Sequence, residues 1–97
     1  MKSVEFGSYI KSLRESKNIP QRIVAHALDV DTSTLSKMEL GERQVLISMI
    51  PQLAKVLGVD FKDLQIKYIT NKIRLDFKGQ KYLIEALESI QNELNKK

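Results

Sequence analysis

The chain has no cysteine, a single histidine, and four glycines scattered along 97 residues. Without cysteine there are no disulfide staples and no zinc sites built on thiolates. His26, alone and without a thiol, cannot complete the usual nucleophile–base pair, and the dispersed glycines form no phosphate-cradling loop. Carboxylate pairs exist, but none sits in a recognisable catalytic motif. No enzyme, metal or cofactor is expected. Apolar runs are also short: none approaches the roughly 20 residues of a membrane-spanning helix. The opening residues Met1-Lys2-Ser3-Val4-Glu5 lack the apolar core of a secretory signal, so a cytoplasmic protein without a membrane partner is expected. Strand signals are nearly missing. One stretch, Lys72-Ile73-Arg74-Leu75-Asp76-Phe77, alternates polar and apolar residues with period two.

What remains is ordinary globular composition, 42% hydrophobic and 29% charged, of a size for one compact domain. The net charge is +4 with a pI near 9.4, which permits nucleic-acid binding without demanding it. The excess is unevenly placed. Through Val45 seven Lys/Arg stand against six Asp/Glu; from Leu46 onward nine stand against six. Pattern must therefore decide.

Apolar spacing is helical almost throughout. A first helix is predicted from about Val4 to Ser16, with Phe6, Tyr9, Ile10 and Leu13 on one face and Asn18 as a left-handed terminator. A short second helix starts at Pro20, and Val24, Ala25 and Leu28 form its inner stripe. Asp29-Val30-Asp31 breaks it. Asp31 is then the N-cap of a third helix, Thr32 to about Leu40, which Gly41 ends. A fourth helix from Ser48 to Leu57 would be capped by Ser48 and closed by Gly58. A fifth begins at the capping residue Asp60, with Asp63 three residues on, and reaches about Asn71. A last helix runs from about Gly79 to Leu94. These elements divide into a domain over residues 1–70 and a C-terminal extension over 71–97.

The second and third helices, joined by a three-residue turn, are the informative pair. Val24, Ala25, Leu28, Val30, Leu35 and Met38 face inward, whereas Thr32, Ser33, Ser36 and Lys37 are small or polar and face out. Such a pair can present the first turn of its second helix to a DNA major groove, about 12 Å wide. Taken alone, the pattern also fits any short surface helix.

The run from Gln21 through Val30 to Leu35-Ser36-Lys37-Met38-Glu39-Leu40-Gly41-Glu42-Arg43 resembles the phage-repressor and Cro type of helix-turn-helix, the xenobiotic-response-element family. Leu53-Ala54-Lys55-Val56-Leu57-Gly58-Val59, followed by Phe61 and Leu64, is similar to that family's fourth and fifth helices. The resemblance covers roughly Phe6 to Leu64 and implies an all-α, five-helix repressor-like domain. It also implies residue roles. Gln21 would donate to a DNA phosphate and brace the first residue of the recognition helix. Arg22 stands beside it. Thr32, Ser33 and Lys37 would read bases with Ser36 close by, Arg43 would meet the backbone, and Arg14 and Glu39 would form a structural ion pair. The sequence departs from the family at three positions. Pro20 replaces the usual Ser or Thr before the glutamine, Asp29 replaces a turn glycine, and Leu40 replaces a polar residue.

In the extension, Leu83, Leu87, Ile90 and Leu94 recur at spacings of four, three and four, with Ile84 widening the stripe. Two heptads are too few for a free coiled coil, so the helix is expected to pack partly on its own domain and to serve dimerisation. The implied function is a sequence-specific regulator of transcription, a repressor or operon controller binding a double-stranded operator as a homodimer, with no small-molecule effector evident. Controllers of restriction–modification operons and antitoxins both use such a domain, and the sequence does not separate them. The alternative is a protein-interaction adaptor whose helix-turn-helix binds DNA weakly or not at all. It is motivated by the acidic Asp29, Asp31, Glu39 and Glu42 around the recognition helix.

Overall fold

A computed structural model, described for residues 4–96, contains six α-helices: α1 (Val4–Ser16), α2 (Gln21–Ala27), α3 (Thr32–Glu39), α4 (Ile50–Leu57), α5 (Phe61–Phe77) and α6 (Leu83–Leu94). One 3-10 turn, Ile47–Met49, leads into α4, and no strand occurs among the described residues. The first three residues of the segment read for a secretory signal lie outside the described residues. Among the described residues no helix is long and apolar enough to cross a membrane.

The first five helices share one core. Phe6 and Ile10 from α1 meet Val24, Ala25 and Leu28, then Leu35 and Met38, then Ile50, Leu53, Ala54 and Leu57, and finally Leu64 and Tyr68 from α5. Each fully buried Leu or Ile stabilises the fold by roughly 1.5–3 kcal/mol relative to exposure. Phe6 and Tyr68 pack edge to face, with ring centroids 5.1 Å apart. Gly7 lets α1 lie against α3, because a Cβ there would run into the Met38 carbonyl oxygen.

One device ends the first four helices. After α1, the Ile19 N–H bonds the Arg14 carbonyl and the Asn18 N–H bonds that of Glu15. After α2, Val30 bonds Ala25 and Asp29 bonds His26; after α3, Glu42 bonds Lys37 and Gly41 bonds Met38; after α4, Val59 bonds Ala54 and Gly58 bonds Lys55. Each pattern needs one residue with positive φ, supplied by Asn18, Asp29, Gly41 and Gly58 in turn. The chain thus reverses four times within short loops, each reversal satisfying carbonyls that a helix end leaves open.

Three expectations are corrected. The alternating stretch from Lys72 to Phe77 is the end of α5, not a strand. Leu75 continues the inward stripe of Leu64, Tyr68 and Asn71 at spacings of four, three and four. With no neighbouring strand, the backbone bonds are made within the helix. Ser48 does not cap α4: it lies inside the 3-10 turn, Met49 holds the cap position without a side-chain bond, and Pro51 falls in the first turn. The last helix starts at Leu83, after a loop containing Gly79, and buries none of its residues. It therefore does not pack into its own domain's core.

Candidate nucleic-acid interface

The geometry of α3 is fixed from below. Leu35, Met38 and Glu39 are buried, which leaves Thr32, Ser33 and Lys37 exposed on the opposite side. Asp31 starts the helix by accepting the Thr34 N–H at 2.8 Å. That backbone hydrogen bond is the main reason the Asp31 carboxyl sits below its usual value, with Lys37 and Arg43 adding a smaller pull. Asp29 takes φ 59° in the turn, the left-handed seat that the family fills with glycine.

A polar chain locks α1, α2 and α3 together. Arg14 grips Glu39 with two bonds, Nε to Oε2 at 2.7 Å and Nη2 to Oε1 at 3.1 Å, while its Nη1 reaches the Ile19 carbonyl at 3.0 Å. The Gln21 amide nitrogen donates to Glu39 Oε1 at 3.1 Å, and its oxygen accepts from Ser36 Oγ at 3.3 Å. Both charged partners are buried, and the Glu39 side chain is only 2% exposed. Hydrogen bonds to Glu39 raise Arg14 further above its already high value. No buried side-chain polar atom lacks a partner among the described residues. The arrangement resembles a preorganised clamp more than a surface ion pair, because losing one member would strand another away from water.

The sequence-predicted residues separate into two groups. Thr32, Ser33, Lys37, Arg22 and Arg43 are all exposed, Arg43 in the loop after α3. Gln21 and Ser36 are half-buried and bonded to one another, so the bracing by Gln21 falls on Ser36 and Glu39 and not on Thr32, the first residue of the helix. The reason is helical phase: Ser36 lies one turn beyond Thr32, above the start of α2. His26 is exposed. Asp29, Asp31 and Glu42 are exposed acids bordering the same face.

One contributor was not foreseen. The Tyr68 hydroxyl donates to the Val45 carbonyl at 2.6 Å and so anchors the loop carrying Arg43 to α5. In sequence Tyr68 reads only as one more position of an apolar stripe, as do Tyr9, which is half-buried, and Tyr82, which is exposed. Beside that anchor, Phe6, Met38, Arg43 and Asn71 line a cavity of about 220 Å³.

The helix-turn-helix family matches residues 10–64. Over 60 residues the chain is 37% identical to the control protein C.BamHI of Bacillus amyloliquefaciens, a match covering 61% of this chain and 74% of that protein. Its fold is similar to the crystal structure of the restriction-modification controller protein C.AhdI from Aeromonas hydrophila. That similarity has a TM-score of 0.57 and 31% identity, covering 64% of this chain and 90% of the other.

Proposed function

The chain belongs to the helix-turn-helix family, and on that footing we propose that it is a sequence-specific, double-stranded-DNA-binding transcription regulator, an operon controller acting as a homodimer at a promoter. One observation supports this most: Thr32, Ser33 and Lys37 stand exposed on a helix whose other face is sealed into the core. Side chains of these types reach base edges in the major groove. In this reading the exposed Arg22 and Arg43 and the half-buried Gln21 contact phosphate oxygens, with Ser36 close to the base-reading set. The similarity to two controller proteins favours a controller of a restriction–modification operon.

Residues 1–70 form the reader and residues 71–97 the extension, with α5 running through the division as one helix. Leu83, Leu87, Ile90 and Leu94 serve dimerisation, which sets two recognition helices about 34–36 Å apart for paired half-sites.

Selection from a random duplex pool, with the mass of the selected complex measured, tests the whole reading. A two-fold symmetric site bound by two chains is expected, with affinity falling steeply as salt rises. Failure to enrich any sequence, with weak and salt-insensitive binding, would instead favour a protein adaptor, for which Asp29, Asp31 and Glu42 supply the acidic surface.

A further inference from the structure

Helix α5 carries two apolar stripes, and the fold uses one. Leu64 and Tyr68 face the core. On the far side Ile66, Ile69, Ile73 and Phe77 recur at spacings of three, four and four. With 3.6 residues per turn they fall within an arc of roughly 80° pointing away from the core. Ile66, Ile69 and Phe77 are exposed and Ile73 is half-buried. In α6, Leu83, Leu87, Ile90 and Leu94 form a second stripe, and no residue of that helix is buried. Each stripe spans twelve positions, eleven steps, or about 16 Å of helix at ~1.5 Å per residue. They match in length.

The area suits a dimer. Ile66, Ile69, Phe77, Ile84, Ile90 and Leu94 are each 39–67% exposed. Taking ~200 Å² for a fully exposed large side chain, these six, Ile84 at the edge of the α6 stripe, present on the order of 650 Å². A typical monomer's largest apolar patch is roughly 300–600 Å², and one side of a standard interface is about 800 Å². Charge then selects the pairing. α6 carries Glu85, Glu88 and Glu93 and no basic residue; Glu85 and Glu88 lie on the side away from its stripe and Glu93 borders it, so an α6–α6 seam has acid and no base at its edge. α5 carries Lys62, Lys67, Lys72 and Arg74 against Asp63 and Asp76, with Lys62 within the outward face and Asp76 at its edge. Opposite net charges favour α5 against α6.

We propose that α6 of each copy lies along the outer stripe of α5 on a second copy, so that two chains clasp one another reciprocally. The contact is the same from both sides and closes on itself, as a two-fold dimer requires. This rests on the homodimer reading above and locates its interface.

The absence of cysteine makes the test clean. Full-length Ile69→Cys and Ile90→Cys chains, distinguishable by mass, are unfolded together, refolded, and treated with a short bis-maleimide. The expected product joins one chain of each kind, with little linkage in either variant alone. Dominant linkage of Ile90→Cys to itself would overturn the proposal in favour of an α6–α6 seam. An intrachain product from the double variant would overturn it in favour of α6 folding back on its own α5. As a second measure, Ile66→Asp with Phe77→Asp alters only exposed positions and should shift the solution mass from the dimer to the 11.1 kDa of one chain; a persistent dimer would refute the clasp. These readouts contain no DNA. A failed clasp with successful operator selection sinks the interface alone, and the converse sinks the reader alone.

Discussion

Glu39→Gln removes one charge and almost no volume from the clamp beneath the recognition helix. The carboxylate there accepts three bonds, two from Arg14 and one from Gln21. An amide keeps a single accepting oxygen and turns an N–H donor toward a guanidinium. Arg14, buried and still cationic, then loses its buried counter-charge and keeps the Ile19 carbonyl, the one amide oxygen and the exposed Glu15 carboxylate at 3.9 Å. Breaking one side of a buried pair destabilises by about 3–5 kcal/mol; the retained oxygen places this variant near the lower end. For a domain of this size each kcal/mol lowers Tm by about 4–8 °C, so a fall on the order of 12–24 °C is expected by calorimetry. The double variant Arg14→Met with Glu39→Leu removes both charges, and apolar replacement of a buried pair is often near neutral. It should recover most of that loss. A Glu39→Gln loss below about 1 kcal/mol, or a double variant no better than the single one, would refute the claim that a stranded charge causes the damage.

Four further outcomes are expected. Lys37→Ala and Ser33→Ala should each weaken binding to the selected operator by about 1–3 kcal/mol while leaving random-duplex binding nearly intact; fluorescence anisotropy on both duplexes checks this. Tyr68→Phe should lower stability by about 1 kcal/mol in urea unfolding, since it deletes the donor to the Val45 carbonyl. Burial first, and the Asp76 charge second, lift the Tyr68 phenol above its ordinary 10.0. Its contribution is therefore full below that value and lost as pH rises through the folded one, an alkaline component that the Phe variant should lack. The Asp31 carboxyl is held low by the Thr34 N–H, so its contribution is present above the ordinary 3.8 and disappears as pH falls through the folded value; Asp31→Asn keeps the cap but should flatten that part of an acid titration followed by circular dichroism. Asp29→Gly relieves a left-handed side chain at φ 59° and should raise stability by roughly 0.5–1 kcal/mol in the same unfolding assay.

Most of the helices and the turns that close the first four were legible because they rest on local chemistry. Asn18, Asp29, Gly41 and Gly58 mark reversals by their tolerance of positive φ, and Asp31 and Asp60 mark starts by their reach to an N–H three residues on. What escaped the sequence depends on partners far along the chain. Lys72 to Phe77 alternates as a strand would, and only Leu75 closing beside Tyr68 and Asn71 makes the period helical. The Tyr68–Val45 bond joins positions 23 apart and leaves no periodic trace. In the candidate site, the outward set Thr32, Ser33 and Lys37 follows from the inward set Leu35 and Met38 by helical phase alone. The half-buried state of Ser36 does not, because it depends on where the Gln21 amide points. The apolar spacing of α6 was plain, yet spacing alone does not say what lies against it.

The clamp and the exposed tail have a common consequence. Arg14, Glu39, Gln21 and Ser36 join three helices through bonds between 2.7 and 3.3 Å, so α3 is held as part of the core and not as an appendage. A rigid probe loses little freedom on docking, which helps affinity and sharpens discrimination. On the proposed reading it offers few contacts: two small hydroxyls and one lysine, with the exposed acids Asp29, Asp31 and Glu42 nearby. A single head of this kind is expected to be specific and weak. Two heads joined at fixed spacing bind the second half-site at high effective concentration and gain affinity without any new base contact. On this reasoning the extension beyond residue 70 belongs to the recognition mechanism, since it turns a weak reader into a usable one.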